Sequence, residues 1–199
     1  MELFGNNSPT NLLPGDGTVN YYGRILSLDA AWKHHAALLS QVPWKHDEAV
    51  IFGKHIVTAR KVAWYGDANY SYTYSGTTKQ ALVWNEELLS LKALVEELTE
   101  AKFNSCLLNL YHDGNEGVGW HSDDEKSLAR NASIASLSLG AEREFRFKHK
   151  QTQQSVSLIL EHGSLLVMKD TAQAHWLHSL PKSKKSKPRE SASPFARSF

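Results

Sequence analysis

Six short runs of β-prone residues follow one another through the second half of this 199-residue chain. Each run has seven to nine residues, and glycine, asparagine, aspartate or polar clusters separate them. The runs are SCLLNLY, ASIASLSLG, EFRFKHK, SVSLILE, GSLLVMK and AHWLHSL. Their spacing predicts antiparallel β-structure. Strict alternation over residues 144–148 predicts a half-exposed strand, whereas the continuous apolar run at 164–168 predicts a strand buried on both faces.

Two helices are predicted before these strands. Apolar residues recur at helical spacing from Ser27 to about Val42, and Pro43 ends the pattern. A second helix begins after Asn85, which is a good capping residue, and its apolar stripe is formed by Leu88, Leu91, Val95 and Leu98. Helices followed by strands indicate an α+β fold, with the helices packed on a sandwich or barrel.

The charge balance limits the kinds of partner. Lys and Arg number 22 and Asp and Glu number 21, which gives a net charge of +1. This value excludes a globally basic nucleic-acid-binding protein and an acidic solvating chain. Binding driven by charge must therefore come from local patches. The five cations within residues 181–189 form either such a phosphate-contacting patch or a solvated turn.

A single cysteine, Cys106, excludes an internal disulfide and a thiolate zinc site. The N-terminus lacks the basic start and apolar run of a secretion signal, and no stretch reaches the about 18 apolar residues of a membrane span. We expect a monomeric, soluble, cytoplasmic protein with no membrane partner. Frequent proline and glycine predict a loose arm over residues 1–18, followed by one domain over residues 19–189.

A metal site is indicated by His121 and Asp123, which are two residues apart and project to the same side of an extended backbone. A later histidine, either His175 or His178, completes a set of two imidazoles and one carboxylate. Such a set suits iron and leaves positions open for substrate and oxygen. Structural zinc prefers thiolates and closed four-ligand sites, which this chain does not offer.

Four motifs occur in the order NLYHDGNEGVGWHSDDE, IASLSLGAEREFRFKHK, HGSLLVM and HWLHSLP. Together they resemble the AlkB family of iron- and 2-oxoglutarate-dependent dioxygenases, and the resemblance runs from about residue 45 to residue 189. The segments IFGKH, TARKVAWYGD and SYTYSG resemble the branch that repairs duplex DNA. The fold that this resemblance implies is a double-stranded β-helix, or jelly roll, with flanking N-terminal helices.

Site residues are implied by the same resemblance. The matching iron ligands are His121, Asp123 and His178. The matching contacts to the co-substrate 2-oxoglutarate are Asn109, Tyr111 and Arg189. The implied reaction oxidises N-alkylated bases such as 1-methyladenine and 3-methylcytosine in DNA, or in RNA, and releases formaldehyde, succinate and carbon dioxide.

Contacts to the nucleic acid follow from the resemblance as well. Phe52 of the IFGKH segment matches an apolar wedge that fills the space left by a flipped base, although a buried strand aromatic is the alternative. Tyr72 and Tyr74 are expected either to line the base pocket or to pack within a strand. The remaining expected contacts are Asp124 and Glu125, which orient Arg60, read an exocyclic amine or are simply exposed to solvent.

The tail, residues 190–199, departs from the family pattern. After Pro188-Arg189 the family has an aliphatic residue, Asn or Ser, and then Leu-Thr-Phe-Arg. Here position 195, where the second arginine belongs, is Phe, and Pro194 removes a backbone donor from an expected central strand. Codons for ESASPFA can be chosen so that reading from the third base gives Ile-Ser-Leu-Thr-Phe-Arg. We interpret the tail as the product of a frameshift.

Two other functions remain open from the sequence. Without the second arginine, the chain is expected to bind 2-oxoglutarate more weakly, which allows a catalytically weak module that binds alkylated DNA. An iron core alone does not specify what enters the pocket, so a related dioxygenase acting on RNA or protein is the other alternative.

Overall fold

The computed structural model describes residues 9–51, 54–68, 70–74, 77–123, 131–183 and 193–197. Its helices are α1 (Leu28–Gln41), α2 (Glu86–Thr99) and α3 (Ala172–His175). Its strands are β1 (Thr18–Arg24), β2 (Lys45–Ile51), β3 (Lys54–Gly66), β4 (Ser71–Tyr74), β5 (Thr77–Gln80), β6 (Leu82–Val83), β7 (Ser105–Tyr111), β8 (Val118–His121), β9 (Ile134–Ser138), β10 (Arg143–His149), β11 (Ser155–Leu160), β12 (Ser164–Lys169), β13 (Trp176–Leu180) and β14 (Ser193–Arg197).

Two antiparallel sheets form the body of the protein. The larger sheet has the order β1-β12-β9-β14-β7-β3-β2, and the short β6 pairs in parallel with β3. The smaller sheet has the order β11-β10-β13-β8, and β4 pairs with β5 in a separate hairpin. Apolar side chains of both sheets meet in one core, among them Leu166 and Met168 of the larger sheet and Phe145, Phe147 and Trp176 of the smaller sheet. The sequence expectation of a β-sandwich is confirmed, and we call the space between the sheets the interior.

The two long helices cover the other face of the larger sheet. The Ser27 hydroxyl accepts a hydrogen bond from the backbone N–H of Ala30, and the Asn85 side chain accepts one from the N–H of Leu88, so both helices begin where capping predicts. The buried stripe of α2 packs on Leu108, Leu137 and other apolar residues of the sheet. Within the described residues, no helix is long and apolar enough to cross a bilayer.

The segment expected to be a loose arm is packed from residue 9 onward. The Asn11 side chain accepts hydrogen bonds from the N–H groups of Leu13 and Val19, at 3.1 and 2.8 Å. Leu13 is buried in the interior core, and the indole N–H of Trp176 donates to the Gly15 carbonyl at 3.1 Å. Proline and glycine here shape turns that fit against the sandwich, which local sequence cannot distinguish from a free arm.

Part of the atypical tail forms the central strand β14. Residues 193–197 pair with β7, and residues 195–197 also pair with β9 on the other side. Pro194 lies opposite Leu110 of β7, before the pairing with β9 begins. A proline at this place is tolerated because it precedes the part of the strand that is hydrogen-bonded on both sides.

A buried histidine between α1 and the larger sheet gives a pH-dependent stability. Nδ1 of His162 accepts a hydrogen bond from the Gly140 N–H at 2.8 Å, and the ring packs on Trp32 at a centroid distance of 4.2 Å. Burial lowers the pKa of His162 below its ordinary value of 6.5, and His35 and Arg24 lower it further. The folded state therefore binds fewer protons than the unfolded state as the pH falls through 6.5.

Above pH 6.5, we expect His162 to leave the free energy of unfolding unchanged. As the pH falls below 6.5, the free energy of unfolding should decrease by at most about 1.4 kcal/mol per pH unit. His162→Asn, whose amide oxygen can still accept from Gly140, is expected to flatten this dependence. Urea unfolding of the parent chain and of His162→Asn at several pH values measures this pH dependence. Equal slopes in the two proteins would contradict the assignment.

Candidate metal centre

Three of the predicted ligands converge at the edge of the smaller sheet. His121 ends β8 and lies directly opposite His178 of β13, because the two residues are Cα partners in the antiparallel pair. Side chains of directly opposed residues project to the same face, and Asp123 follows two residues after the strand. One nitrogen of each histidine and one carboxylate oxygen all lie within 4.8 Å of one another.

The carboxylate of Asp123 bridges the two imidazoles. Its Oδ1 lies 3.8 Å from Nε2 of His121, and its Oδ2 lies 3.6 Å from Nε2 of His178. Nδ1 of His121 is 2.7 Å from the Gly119 carbonyl. A carbonyl only accepts hydrogen bonds, so Nδ1 carries the proton and Nε2 presents its lone pair to the group. The tautomer is therefore the one that a metal ligand needs.

The surroundings of the two histidines differ. His178 is 1% exposed, and its ring stacks on Phe145 at a centroid distance of 5.6 Å. The side chain of His121 is 30% exposed and that of Asp123 is 21% exposed. One ligand is thus fixed in the interior core while two lie nearer the surface, so an ion held by all three remains accessible from one side.

The donor set fits ferrous iron. Two neutral imidazoles and one carboxylate are the ligands of the 2-His-1-carboxylate iron sites, and the three donor atoms here lie close enough together to hold one ion among them. Among the described residues, this is the only group of three histidine, cysteine or carboxylate side chains close enough to hold a metal. His178, and not His175, completes it. The His175 ring instead lies parallel to that of His149, at a centroid distance of 6.1 Å.

Two residues that the sequence did not indicate, Gln173 and Lys150, hold the ligand loop, residues 122 and 123, in place through hydrogen bonds. The backbone N–H of Asp123 donates to Oε1 of Gln173 at 2.8 Å, and Nε2 of Gln173 lies 3.3 Å from Sδ of Met168. Nζ of Lys150 donates to the Ser122 hydroxyl at 3.0 Å and to the Gln173 carbonyl at 2.9 Å. Gln173 is 50 residues from Asp123, Lys150 is 28 residues from Ser122, and neither matches a ligand motif, so no sequence signal pointed to these contacts.

Gln173→Ala is expected to lower the affinity for Fe(II) or Mn(II) about tenfold to a hundredfold, because Asp123 loses the contact that orients its backbone. Anaerobic titration calorimetry measures the affinity. Gln151→Ala, at an exposed turn, is the matched control and should bind metal as the parent chain does. If both variants bind metal equally well, Gln173 does not position the ligand loop.

The structure describes only some of the remaining predicted site residues. Asn109 and Tyr111 are 1% and 2% exposed, and they occupy alternate positions of β7. Arg60 of β3 forms an ion pair with Asp47 of β2. Tyr72 and Tyr74 lie in β4, and their side chains are outside the described structure. The predicted residues that fall outside the described ranges altogether are Phe52, Asp124, Glu125 and Arg189.

Comparison with known proteins places this geometry in context. Residues 18–197 match the profile of the 2OG-Fe(II) oxygenase superfamily. The chain is 44% identical over 139 residues to the DNA oxidative demethylase ALKBH2 of Mus musculus, a match that covers 66% of this chain and 58% of that protein. It is 40% identical over 155 residues to the alpha-ketoglutarate-dependent dioxygenase alkB homolog 3 of Homo sapiens, covering 73% of this chain and 54% of that protein. The chain thus spans a little over half the length of these relatives.

Solved structures share the fold. The structure of OsALKBH1 superposes with a TM-score of 0.64 at 12% identity, covering 95% of this chain and 99% of that chain. A Pseudomonas putida prolyl-4-hydroxylase superposes with a TM-score of 0.58 at 12% identity, covering 91% and 90% of the two chains. At such identity the likeness concerns the fold alone, which is the expected double-stranded β-helix with flanking helices.

Proposed function

Because the chain belongs to the 2OG-Fe(II) oxygenase superfamily, and its relatives place it in the AlkB family, we propose that it repairs N-alkylated bases in DNA by oxidative demethylation. The substrates proposed are bases such as 1-methyladenine and 3-methylcytosine. With Fe(II) as the cofactor, 2-oxoglutarate and O2 are consumed, and formaldehyde, succinate and carbon dioxide are released. The observation that carries this proposal is the convergence of His121, Asp123 and His178.

The three proposed ligands determine how the protein would hold the metal ion. His121, Asp123 and His178 would hold Fe(II) from one side, and the bound iron supplies the oxidation of the N-alkyl carbon. The Gly119 carbonyl keeps His121 in the binding tautomer, and Gln173 keeps Asp123 in place. Phe145 and Phe147 exclude water from the inner side of His178, at centroid distances of 5.6 and 6.3 Å.

The interior of the sandwich offers a place for the co-substrate. Asn109 and Tyr111 project from β7 into this space, since Tyr111 belongs to the core between the sheets and Asn109 is two residues before it on the same face. Both are nearly fully buried. We propose that they contact 2-oxoglutarate together with Arg189.

Access to a base in DNA is proposed to involve the β2–β3 hairpin. β2 ends at Ile51 and β3 begins at Lys54, so Phe52 falls in the interval between two paired strands. Residues 54–57 at the start of β3 are exposed, among them the apolar Ile56 and Val57. An apolar residue carried by an exposed hairpin is suited to enter a base stack and to replace the flipped base.

Phe52→Ala is expected to reduce repair of a methylated duplex much more than repair of the same single strand, because only the duplex requires a wedge to hold the vacated position. Demethylation rates on a methylated duplex and on the same methylated single strand measure the two effects. Val57→Ala, an exposed apolar change on the same hairpin, is the control and should leave the ratio of the two rates unchanged. Equal losses on duplex and single strand would contradict the wedge role.

The function itself is tested by turnover on methylated oligonucleotides. We expect succinate and formaldehyde to appear together and to require Fe(II), 2-oxoglutarate and the methylated base. Tight binding to methylated DNA without turnover would favour a damage-binding module, the alternative that the phenylalanine at position 195 supports. Turnover with RNA or a peptide but not with DNA would reassign the substrate.

A further inference from the structure

The turn formed by residues 11–17 is closed by its own hydrogen bonds and packed on the sandwich, and we call it the N-terminal turn. The Asn11 side chain accepts a hydrogen bond from the N–H of Val19 at 2.8 Å and donates one to the Gly17 carbonyl at 3.0 Å. Leu13 is 4% exposed and belongs to the interior core. The turn is therefore a fixed element whose contacts can hold other groups in place.

Two consecutive residues of the N-terminal turn adopt backbone conformations that most side chains disfavour. Asp16 has a φ of 56° and Gly17 has a φ of 136°. A Cβ atom at position 17 would lie 2.5 Å from Cα of Ala172, the first residue of α3. A positive φ at a residue other than glycine is uncommon and persists where surrounding contacts determine the backbone. The turn is therefore pressed directly against the start of α3.

The residues on either side of position 16 contact segments that lead to the metal ligands. α3, against which Gly17 packs, carries Gln173, whose side chain accepts a hydrogen bond from the ligand loop at 2.8 Å. The Gly15 carbonyl accepts a hydrogen bond from the indole N–H of Trp176 at 3.1 Å. Trp176 lies two residues before His178 in β13. The N-terminal turn thus lies behind two of the segments that carry the metal centre.

Asp16 itself binds a buried histidine. Its Oδ2 lies 3.2 Å from Nε2 of His149, and the side chain of His149 is 4% exposed whereas that of Asp16 is 63% exposed. Nδ1 of His149 accepts a hydrogen bond from the N–H of Thr152 at 3.0 Å. A backbone N–H only donates, so Nε2 carries the proton of the neutral ring and donates to Asp16. Asp16 therefore fixes both the tautomer and the orientation of this ring.

His149 in its turn fixes the segment that carries Lys150. It ends β10, and its ring binds the backbone of the following residues at Thr152. Nζ of Lys150 donates to the Ser122 hydroxyl at 3.0 Å and to the Gln173 carbonyl at 2.9 Å. Ser122 lies between two of the proposed metal ligands in the sequence. A continuous set of hydrogen bonds and covalent neighbours therefore leads from Asp16 to the ligand loop.

We propose that Asp16 is a positioning residue for the metal centre. Its carboxylate orients His149, the His149 ring fixes the segment that carries Lys150, and Lys150 holds the ligand loop. This inference rests on the proposed function, because it requires the three proposed ligands to bind a metal ion. Groups that support metal ligands through hydrogen bonds typically change metal affinity about tenfold to a hundredfold when they are replaced. Asp16 acts through other residues, so we expect a loss near the lower of these values.

The test measures Mn(II) binding by calorimetry without oxygen for the parent chain, Asp16→Gly and Asp16→Asn. Glycine removes the carboxylate and adopts the left-handed conformation freely, so the variant is expected to fold and to lack only the contact with His149. Asparagine also tolerates this conformation and keeps an oxygen that can accept from His149. Glu100→Gly is the matched control, because Glu100 is an exposed acid with a φ of 55° at the end of α2, on the other side of the larger sheet.

Asp16→Gly should weaken Mn(II) binding about tenfold. Asp16→Asn should recover most of the parent affinity, and Glu100→Gly should bind as the parent chain does. The melting temperature of each apoprotein is measured as well, and all titrations are made well below it. A role of Asp16 in stability alone would lower the melting temperature and leave the Mn(II) affinity of the folded protein unchanged.

A double-mutant cycle tests whether Asp16 acts through Lys150. Lys150→Met keeps a side chain of similar length and removes the ammonium that binds the ligand loop. In this background, Asp16→Gly should change the Mn(II) affinity by no more than about twofold, because the connection to the loop is already broken.

Three results would overturn the assignment. The first is equal Mn(II) affinity of Asp16→Gly and the parent chain. The second is an equal loss in Asp16→Gly and Asp16→Asn, since asparagine keeps the acceptor for His149. The third is a loss of the same size with and without the Lys150 ammonium. All three leave the proposed function intact, whereas a parent chain that binds neither Mn(II) nor Fe(II) would contradict the proposed function together with this inference.

Discussion

Asp123→Ala is expected to abolish iron-dependent turnover while the protein stays folded. The variant loses the only carboxylate of the metal group, which lies between the two imidazoles at 3.8 and 3.6 Å. Metal affinity should fall by more than the about hundredfold typical of residues that merely support a ligand. The side chain is partly exposed and belongs to a loop, so the core should be undisturbed. Calorimetric titration with Mn(II) and a succinate assay measure the two effects.

Asp29→Ala is the control for this change, because Asp29 is an exposed acid in the first turn of α1, far from the metal group in sequence. It should retain metal binding and turnover. Activity of Asp123→Ala comparable with that of the control would remove Asp123 from the ligand set. Unfolding of the variant is checked by its circular dichroism spectrum before the metal titration.

Restoring the tail is expected to tighten 2-oxoglutarate binding about tenfold to a hundredfold. Over residues 190–195, the alternative reading frame corresponds to five changes, namely Glu190→Ile, Ala192→Leu, Ser193→Thr, Pro194→Phe and Phe195→Arg. Position 195 lies between Asn109 and Ser138 in the larger sheet, so an arginine there adds a cation beside the proposed co-substrate site. Calorimetry on the Mn(II)-loaded proteins measures the gain.

The control for the restored tail carries the same changes except Phe195→Arg. It separates the effect of the added charge from that of removing Pro194 from the strand. Equal affinity of the restored chain and the control would show that position 195 does not contact the co-substrate. The nucleotide sequence gives an independent check, since a gene without the alternative frame rules out the frameshift interpretation.

Features that depend on neighbouring residues were predictable from the sequence. Ser27 and Asn85 begin the two long helices because capping is a local hydrogen bond. The run at 164–168 is buried on both faces, because helices cover one side of β12 and the smaller sheet covers the other. The proposed ligands His121 and Asp123 were indicated by their spacing. The choice of His178 over His175 came from the family resemblance, and in the structure His178 is the histidine that lies with them.

Features that depend on distant contacts were not predictable. β1 pairs with β12, about 145 residues away, and this pairing has no local signal. Gln173 acts on Asp123 across 50 residues of sequence. Arg143 shares the buried face of β10 with Phe145 and Phe147, but alternation alone does not distinguish an arginine in the interior from one at the end of a half-exposed strand.

The position of β8 at the border of the smaller sheet has a consequence for how the metal ligands are held. β8 contributes only the partly buried Val118 to the interior core, whereas His178 belongs to an inner strand and is packed against Phe145. His121 and Asp123 are delivered by a four-residue strand and the turn after it. Two of the three proposed ligands therefore depend on the pairing of an edge strand, whereas the third is fixed in the core.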